Sequence, residues 1–185
     1  MEKEINAFIV YLHNVKNTSK NTEMSYKRDL EKVQHYLSAR GKTTMASVTA
    51  QDLDDYVKYL EDNQFAAATV SRNIASLKAF CHYMTETGML TEDIAERLKA
   101  PKIEKKIPEI MSPDEVVRLL EQPSGNSSKE IRDKAMLELL YATGIRVTEL
   151  ITLKVSDVNM QMNFILCRDR NKERVIPFGT AARNA

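Results

Sequence analysis

The chain is poor in the residues that break helices. Glycine and proline number five each in 185 residues, and so few breakers favour long helices. Cysteine is scarcer still. Cys81 and Cys167 stand far apart with no C-x-x-C spacing, which argues against a disulfide framework or a zinc site and fits a reducing cytoplasm. No apolar run approaches the roughly 18 residues of a membrane span. The opening Met1-Glu2-Lys3-Glu4 does not read as a secretory signal. There is also no excess of either charge: 27 Lys and Arg stand against 26 Asp and Glu, a formal net of +1. Nucleic-acid binders are often far more basic, so any basic surface must come from arrangement. At 43% apolar and 29% charged, the balance is that of a globular protein. The length allows one large domain or two small ones.

What is present is mostly helical grammar. Ile5, Phe8, Ile9, Leu12 and Val15 mark one helix face near residues 2–16. The polar stretch Asn17–Asn21 interrupts it. Tyr26, Leu30, Val33 and Leu37 form the stripe of a second helix, which runs to about Arg40, with Gly41 as a left-handed stop. Thr49 and Asp52 have capping-box spacing ahead of Leu53, Tyr56, Val57 and Leu60. A fourth helix is expected over 67–85, with Val70, Ile74, Leu77, Phe80, Cys81 and Met84 inward and Gly88 beyond its end. Thr91 is expected to cap a short fifth helix through Leu98.

From Lys99 to Pro108 the apolar period disappears. Two prolines and four lysines suit an extended linker, either a solvated connection or a segment lying along a phosphate backbone. Helical signals return at Ser112-Pro113-Asp114-Glu115, an N-cap, a first-turn proline and an acidic third position. Val116, Val117, Leu119 and Leu120 follow. A further helix from about Glu130 to Ala142 is expected to bury Ile131, Ala135, Met136, Leu139 and Leu140. Gly144 closes it. The period then changes. Asn163–Cys167 and Arg174–Phe178 are short β-rich runs around a polar turn, which is a hairpin signature, and Pro177 requires a strand end or edge.

The most informative stretch is ATGIRVTELITLKVSD, Ala142–Asp157. Arg146 sits just past a helix stop and just before the next helix, a corner from which a guanidinium fork grips a phosphate by two parallel hydrogen bonds. Glu149, three residues on, is placed to brace it. On spacing alone, a plain structural salt bridge is the better account of the pair.

This stretch resembles the first arginine motif of the tyrosine recombinases, the family of phage integrases and Xer-type site-specific recombinases. NKERVIPF, Asn171–Phe178, resembles their β-hairpin. NTEMSYKRDL, Asn21–Leu30, resembles an early helix of their core-binding domain, and Ile103–Pro113 resembles their interdomain linker. The resemblance implies a mainly α fold. A helical, SAM-like core-binding domain over 1–98 would be followed by a linker over 99–110. The first part of a mixed α/β catalytic domain would occupy 111–185, with a small β-hairpin or three-stranded sheet.

It also implies site-specific DNA recombination, by integration or excision, with no metal and no ATP or other cofactor. A tyrosine attacks the scissile phosphate, arginines and histidines neutralise the transition state, and a hairpin lysine protonates the leaving oxygen. That division of labour suits phosphoryl transfer, where non-bridging oxygens need charge neutralisation. Arg146 matches the first arginine and Glu149 its acidic companion. The implied partners are double-stranded DNA and, for the full-length protein, other protomers on paired sites; neither a membrane nor a small-molecule substrate is expected.

Two departures matter. The only histidines, His13, His35 and His82, lie before the linker and lack the family's H-x-x-R spacing. The last tyrosine, Tyr141, precedes Arg146. The chain is therefore expected to be the N-terminal part of a recombinase, monomeric off DNA, that binds DNA without the nucleophile. The alternative is a naturally truncated DNA-binding protein or regulator. The hairpin departs too. Where the family shows G-K-G-x-K-x-R, this chain has RDRNKER, Arg168–Arg174, so Asp169 occupies the catalytic lysine's place. Lys172 matches the second lysine. Either it or a neighbouring arginine takes over the proton donation, or the hairpin is impaired, or Lys172 is a solvated turn residue. Arginine is a poor acid, with a pKa above about 12.

In the N-terminal helices Thr22, Lys27, Arg28, Ser71, Arg72 and Lys78 are the expected phosphate contacts. A solvated charged face is the competing reading, because residues 1–107 hold 16 basic and 15 acidic side chains.

Overall fold

The computed structural model describes residues 1–103, 107–169 and 172–185; of Asp169 and Lys172 it describes the backbone only. The chain divides into two compact units, Met1–Lys106 and Ile107–Ala185. No helix among the described residues is long and apolar enough to cross a membrane.

The first unit is a bundle of α1 (Glu2–Asn14), α2 (Lys20–Ser38), α3 (Ala50–Asp62) and α4 (Ala67–Glu86). Each helix follows its apolar stripe. Ile5, Phe8 and Leu12 of α1, Leu30, Val33 and Leu37 of α2, Leu53, Tyr56 and Leu60 of α3, and Val70, Ile74, Leu77 and Phe80 of α4 share one buried cluster. Ser19 caps α2, with its side chain accepting from the Thr22 N–H. Thr49 and Asp52 form the expected capping box on α3. Gly41 (φ 78) and Gly88 (φ 73) take the left-handed conformation beyond α2 and α4, as their positions suggested.

Polar groups inside this core are matched. The Tyr56 hydroxyl donates to Asn73 Oδ1 at 2.9 Å, and Asn73 Nδ2 donates to the Thr69 carbonyl at 2.9 Å. Arg72 of α4 donates to both carboxylate oxygens of Asp29 on α2, each at 2.9 Å. Asp29 has 1% of its side chain exposed, so the fork satisfies an otherwise costly buried charge.

The expected helix from Thr91 to Leu98 does not form. The segment is a turn in which Asp93 Oδ1 accepts from the Ala95 N–H at 3.0 Å, and the Leu98 N–H reaches only Ala95. Its two buried anchors, Ala95 and Leu98, are secured by one tight turn, and one turn is too short to propagate a helix.

The second unit contains α5 (Pro113–Glu121), α6 (Ser128–Thr143), α7 (Val147–Thr152) and α8 (Thr180–Asn184), with strands β1 (Val158–Asn159), β2 (Phe164–Asp169) and β3 (Lys172–Pro177). The Ser112–Glu115 capping box forms on α5 as expected. A second box, Ser127 with Glu130, starts α6 two residues before the expected position. The sheet is antiparallel in the order β1-β2-β3. Ile165 pairs with Ile176, Cys167 with Arg174 and Arg168 with Glu173. The strands run closer to the turn than the apolar runs indicated, because cross-strand pairing carries polar residues as readily as apolar ones once the ladder is started. Pro177 ends β3, as its missing N–H requires.

The core here is small: Ile145, Leu150, Ile165, Cys167 and Phe178, with Met136, Leu139 and Leu140 partly buried against it. Ile131 was expected inside but is 52% exposed. It lies on the first turn of α6, ahead of the residues that reach the sheet. Cys81 and Cys167 are buried, as small hydrophobes usually are.

Candidate nucleic-acid interface

Arg146 is placed by the two helices around it. α6 closes with Gly144 at φ 61 and ψ 23, its N–H bonded to the Leu140 carbonyl. Ile145 then turns into the small core. Arg146 takes an extended conformation (φ −70, ψ 148) as the N-cap residue of α7. A guanidinium has no acceptor, so only half of a capping box is possible. Glu149 supplies that half: its Oε2 accepts from the Arg146 N–H at 2.7 Å.

The other carboxylate oxygen of Glu149 serves the guanidinia. Oε1 accepts from Arg146 Nη1 at 3.3 Å and from Nη2 of Arg174 on β3. The Arg146 side chain is 65% exposed whereas that of Glu149 is 9% exposed. An enclosed carboxylate thus holds an outward-facing cation. The backbone N–H of Arg146, followed by Arg174 and the Arg146 charge, keeps the Glu149 carboxyl below its ordinary range, so the brace is ionised at neutral pH.

Beside this pair lies Arg168 of β2. It donates from Nε to Glu173 at 2.9 Å and from Nη1 to Asp157. Arg146, Thr148, Glu149, Thr152 and Arg168 line one open cavity of about 300 Å³. Its wall carries two guanidinia, the group that grips a tetrahedral oxyanion by paired hydrogen bonds. The spacing of Arg146 and Glu149 had suggested their meeting. Lys172 pairs with Asp169 in the β2–β3 ladder, two residues before Arg174; its side chain lies outside the described residues.

The expected contacts of the first unit are distributed differently. Lys27 and Arg28 lie exposed on α2, and Arg72 lies exposed on α4. The Asp29–Arg72 bridge joins these two helices, which brings the 27–28 and 71–72 positions to neighbouring elements. Lys27 stands 3.9 Å from Glu31. Lys78 donates to the Glu96 carbonyl at 2.9 Å. The Thr22 N–H is taken by the Ser19 cap, so that backbone group is already satisfied. Ser71 sits in the second turn of α4, which starts at Ala67.

Two family descriptions match the chain: the phage integrase N-terminal SAM-like domain over residues 5–88, and the phage integrase family over residues 109–185. The chain belongs to the phage integrase family of tyrosine recombinases. Among its relatives, a tyrosine recombinase XerD from Oceanobacillus iheyensis is 39% identical over 186 residues, covering all of this chain and 62% of the relative. A tyrosine recombinase XerC from a Roseiflexus species is 35% identical over 187 residues, covering all of this chain and 60% of the relative. The chain thus spans about three fifths of the length of these relatives. Solved structures share the fold. A lambda integrase dimer bound to a COC' core site matches with a TM-score of 0.75 at 16% identity, covering 99% of this chain and 64% of that one. A Tn1549 transposon integrase in complex with circular intermediate DNA matches with a TM-score of 0.71 at 15% identity, covering 98% and 62%.

In this phage integrase chain, the sequence motif pointed to the Arg146–Glu149 pair but not to the ion pairs beside it. Asp157 and Arg168 are 11 residues apart and meet across elements; Arg174 and Glu149 are 25 apart. The available signal was strand alternation. Arg174 lies two residues before Ile176, which packs on the core, so period two puts Arg174 on the same face of β3.

Proposed function

We propose that this chain supplies the DNA-clasping domain and the first half of the phosphate-gripping site of a site-specific DNA recombinase. The observation that carries the reading is the outward-facing Arg146 guanidinium, braced by the nearly enclosed Glu149 carboxylate, in a chain of the tyrosine recombinase family. In this reading residues 1–98 clasp duplex DNA, 99–110 connect, and 111–185 present Arg146 to the scissile phosphate. The fold shared with integrases solved on DNA, one as a dimer, supports duplex DNA and further protomers as partners. The cytoplasm is the compartment where such DNA and reduced cysteines coexist.

The chemistry assigned to these residues is electrostatic. Attack on a phosphodiester concentrates negative charge on the non-bridging oxygens. A preoriented guanidinium stabilises that charge more in the transition state than in the ground state. Glu149 supports this by fixing the fork through one oxygen while its other is held by backbone. Lys172 is proposed as the hairpin proton donor in place of the family lysine, where Asp169 stands. Thr22, Lys27, Arg28, Ser71, Arg72 and Lys78 are proposed as backbone contacts of the clasp, with Arg72 acting first as the tie to Asp29.

The test is a salt series on a labelled duplex with residues 1–185, together with a nicked suicide duplex. A steep fall of affinity with salt is expected, with no covalent protein–DNA adduct, since no tyrosine follows Arg146. Binding indifferent to salt, or absent, would overturn the reading; an adduct would show that a nucleophile acts from an unassigned position.

A further inference from the structure

Arg146 is not the only braced guanidinium on its cavity. The same construction occurs twice. At the start of α7, one oxygen of Glu149 accepts the backbone N–H of Arg146 and the other accepts guanidinium donors. At the turn Val155–Asp157, Asp157 Oδ2 accepts the backbone N–H of Lys154 at 3.2 Å, and Oδ1 accepts from Arg168 Nη1. Both carboxylates are 9% exposed, while the arginines they hold are 65% and 55% exposed. Both arginines line the one cavity of about 300 Å³, with Thr148 and Thr152 beside them.

We propose that Arg168 is a second phosphate-binding cation of the Arg146 site, gripping the DNA backbone from the β2 side of the cavity. This rests on the functional reading above. A role confined to stapling the sheet explains less. Backbone pairing already places Arg168 opposite Glu173, and Glu173 is 63% exposed, so that ion pair adds little to the hairpin. The Asp157 bond fixes the direction of the fork, and the weak outer partner is the one that an incoming phosphate displaces. A guanidinium carries five donors in a rigid fork, which allows Asp157 and a phosphate oxygen to be held together. The sequence pattern pointed elsewhere, since the resembling motif has glycine at this place and offers no side chain.

The experiment compares residues 1–185 with Arg168→Ala, Arg168→Lys and Arg146→Ala on a labelled mixed-sequence duplex across salt, with thermal melts alongside. Arg168→Ala is expected to reduce the slope of log affinity against log salt by about one, and equally for unrelated duplex sequences. Arg168→Lys is expected to keep the slope while melting like the alanine variant, because it keeps the charge but loses the fork. A second measurement needs no variant: modification of the wild-type arginines by phenylglyoxal, mapped with and without duplex, with Arg168 protected by DNA. An unchanged slope in Arg168→Ala, or unprotected Arg168 beside protected Arg146, overturns the proposal and leaves the functional reading standing. Loss of salt-dependent binding in the wild type and no protection of either arginine would bring down both.

Discussion

The two units of this chain are held together in different ways. Among the described residues, the first gathers twenty-one buried apolar side chains into one cluster, and the second gathers five. The second also leaves Val117, Tyr141, Val147, Ile151 and Val155 more than half exposed. Its site elements are tied by charge instead: α7 to β3 through Glu149 and Arg174, and the 155–157 turn to β2 through Asp157 and Arg168. Apolar packing builds a stable helical bundle, whereas a network of carboxylates and guanidinia sets the direction of two cations. Such networks add modestly to stability and hold charge in a fixed geometry.

The largest effect should come from the first core. Phe80 is 1% exposed and packs its ring 5.4 Å from that of Phe8. Phe80→Ala should cost about 3–5 kcal/mol, read from urea unfolding followed by circular dichroism. Leu150→Ala, in the thin second core, should cost less, at the lower end of about 2–5 kcal/mol. An equal or reversed order would break the comparison. Next is the bridge between Asp29 and Arg72 in the first unit. Asp29→Ala strands Arg72 and should cost about 2–3 kcal/mol, below the usual range for a fully buried pair because Arg72 is 49% exposed.

Acid should loosen the second unit through Glu149. Its folded pKa lies below the ordinary value of 4.5, so its contribution is fully present above that value and is lost as pH falls through the depressed one. The stability difference between wild type and Glu149→Gln should therefore vanish in acid; a difference that persisted there would sharpen the comparison against charge. The smallest effect belongs to a cap. Ser127→Ala removes the acceptor for the Glu130 N–H and should cost about 1 kcal/mol, measured by the same unfolding.

Much of the first unit was legible because its information is local. Stripes at helical spacing, the Thr49–Asp52 box and the glycines after α2 and α4 act within one helix. The missing 91–98 helix shows the limit: Ala95 and Leu98 have helical spacing, yet Asp93 caps a single turn. In the second unit the site was legible only along the chain. Arg146 and Glu149 share a turn of helix, so their spacing revealed them. Arg168 with Asp157, and Arg174 with Glu149, depend on where the hairpin docks, and no window of sequence contains that. Ile131 failed for a related reason: its apolar character was read as burial, although its turn of α6 lies beyond the reach of the sheet.

The most direct test of the central claim is a double-mutant cycle on duplex affinity with Arg146→Ala, Glu149→Gln and the pair together. If Glu149 acts by holding Arg146 toward a phosphate, the losses will not add, and Glu149→Gln will weaken binding only while Arg146 is present, with a coupling of about 1 kcal/mol. Losses that simply add would contradict the account, since the carboxylate and the guanidinium would then be acting on DNA independently.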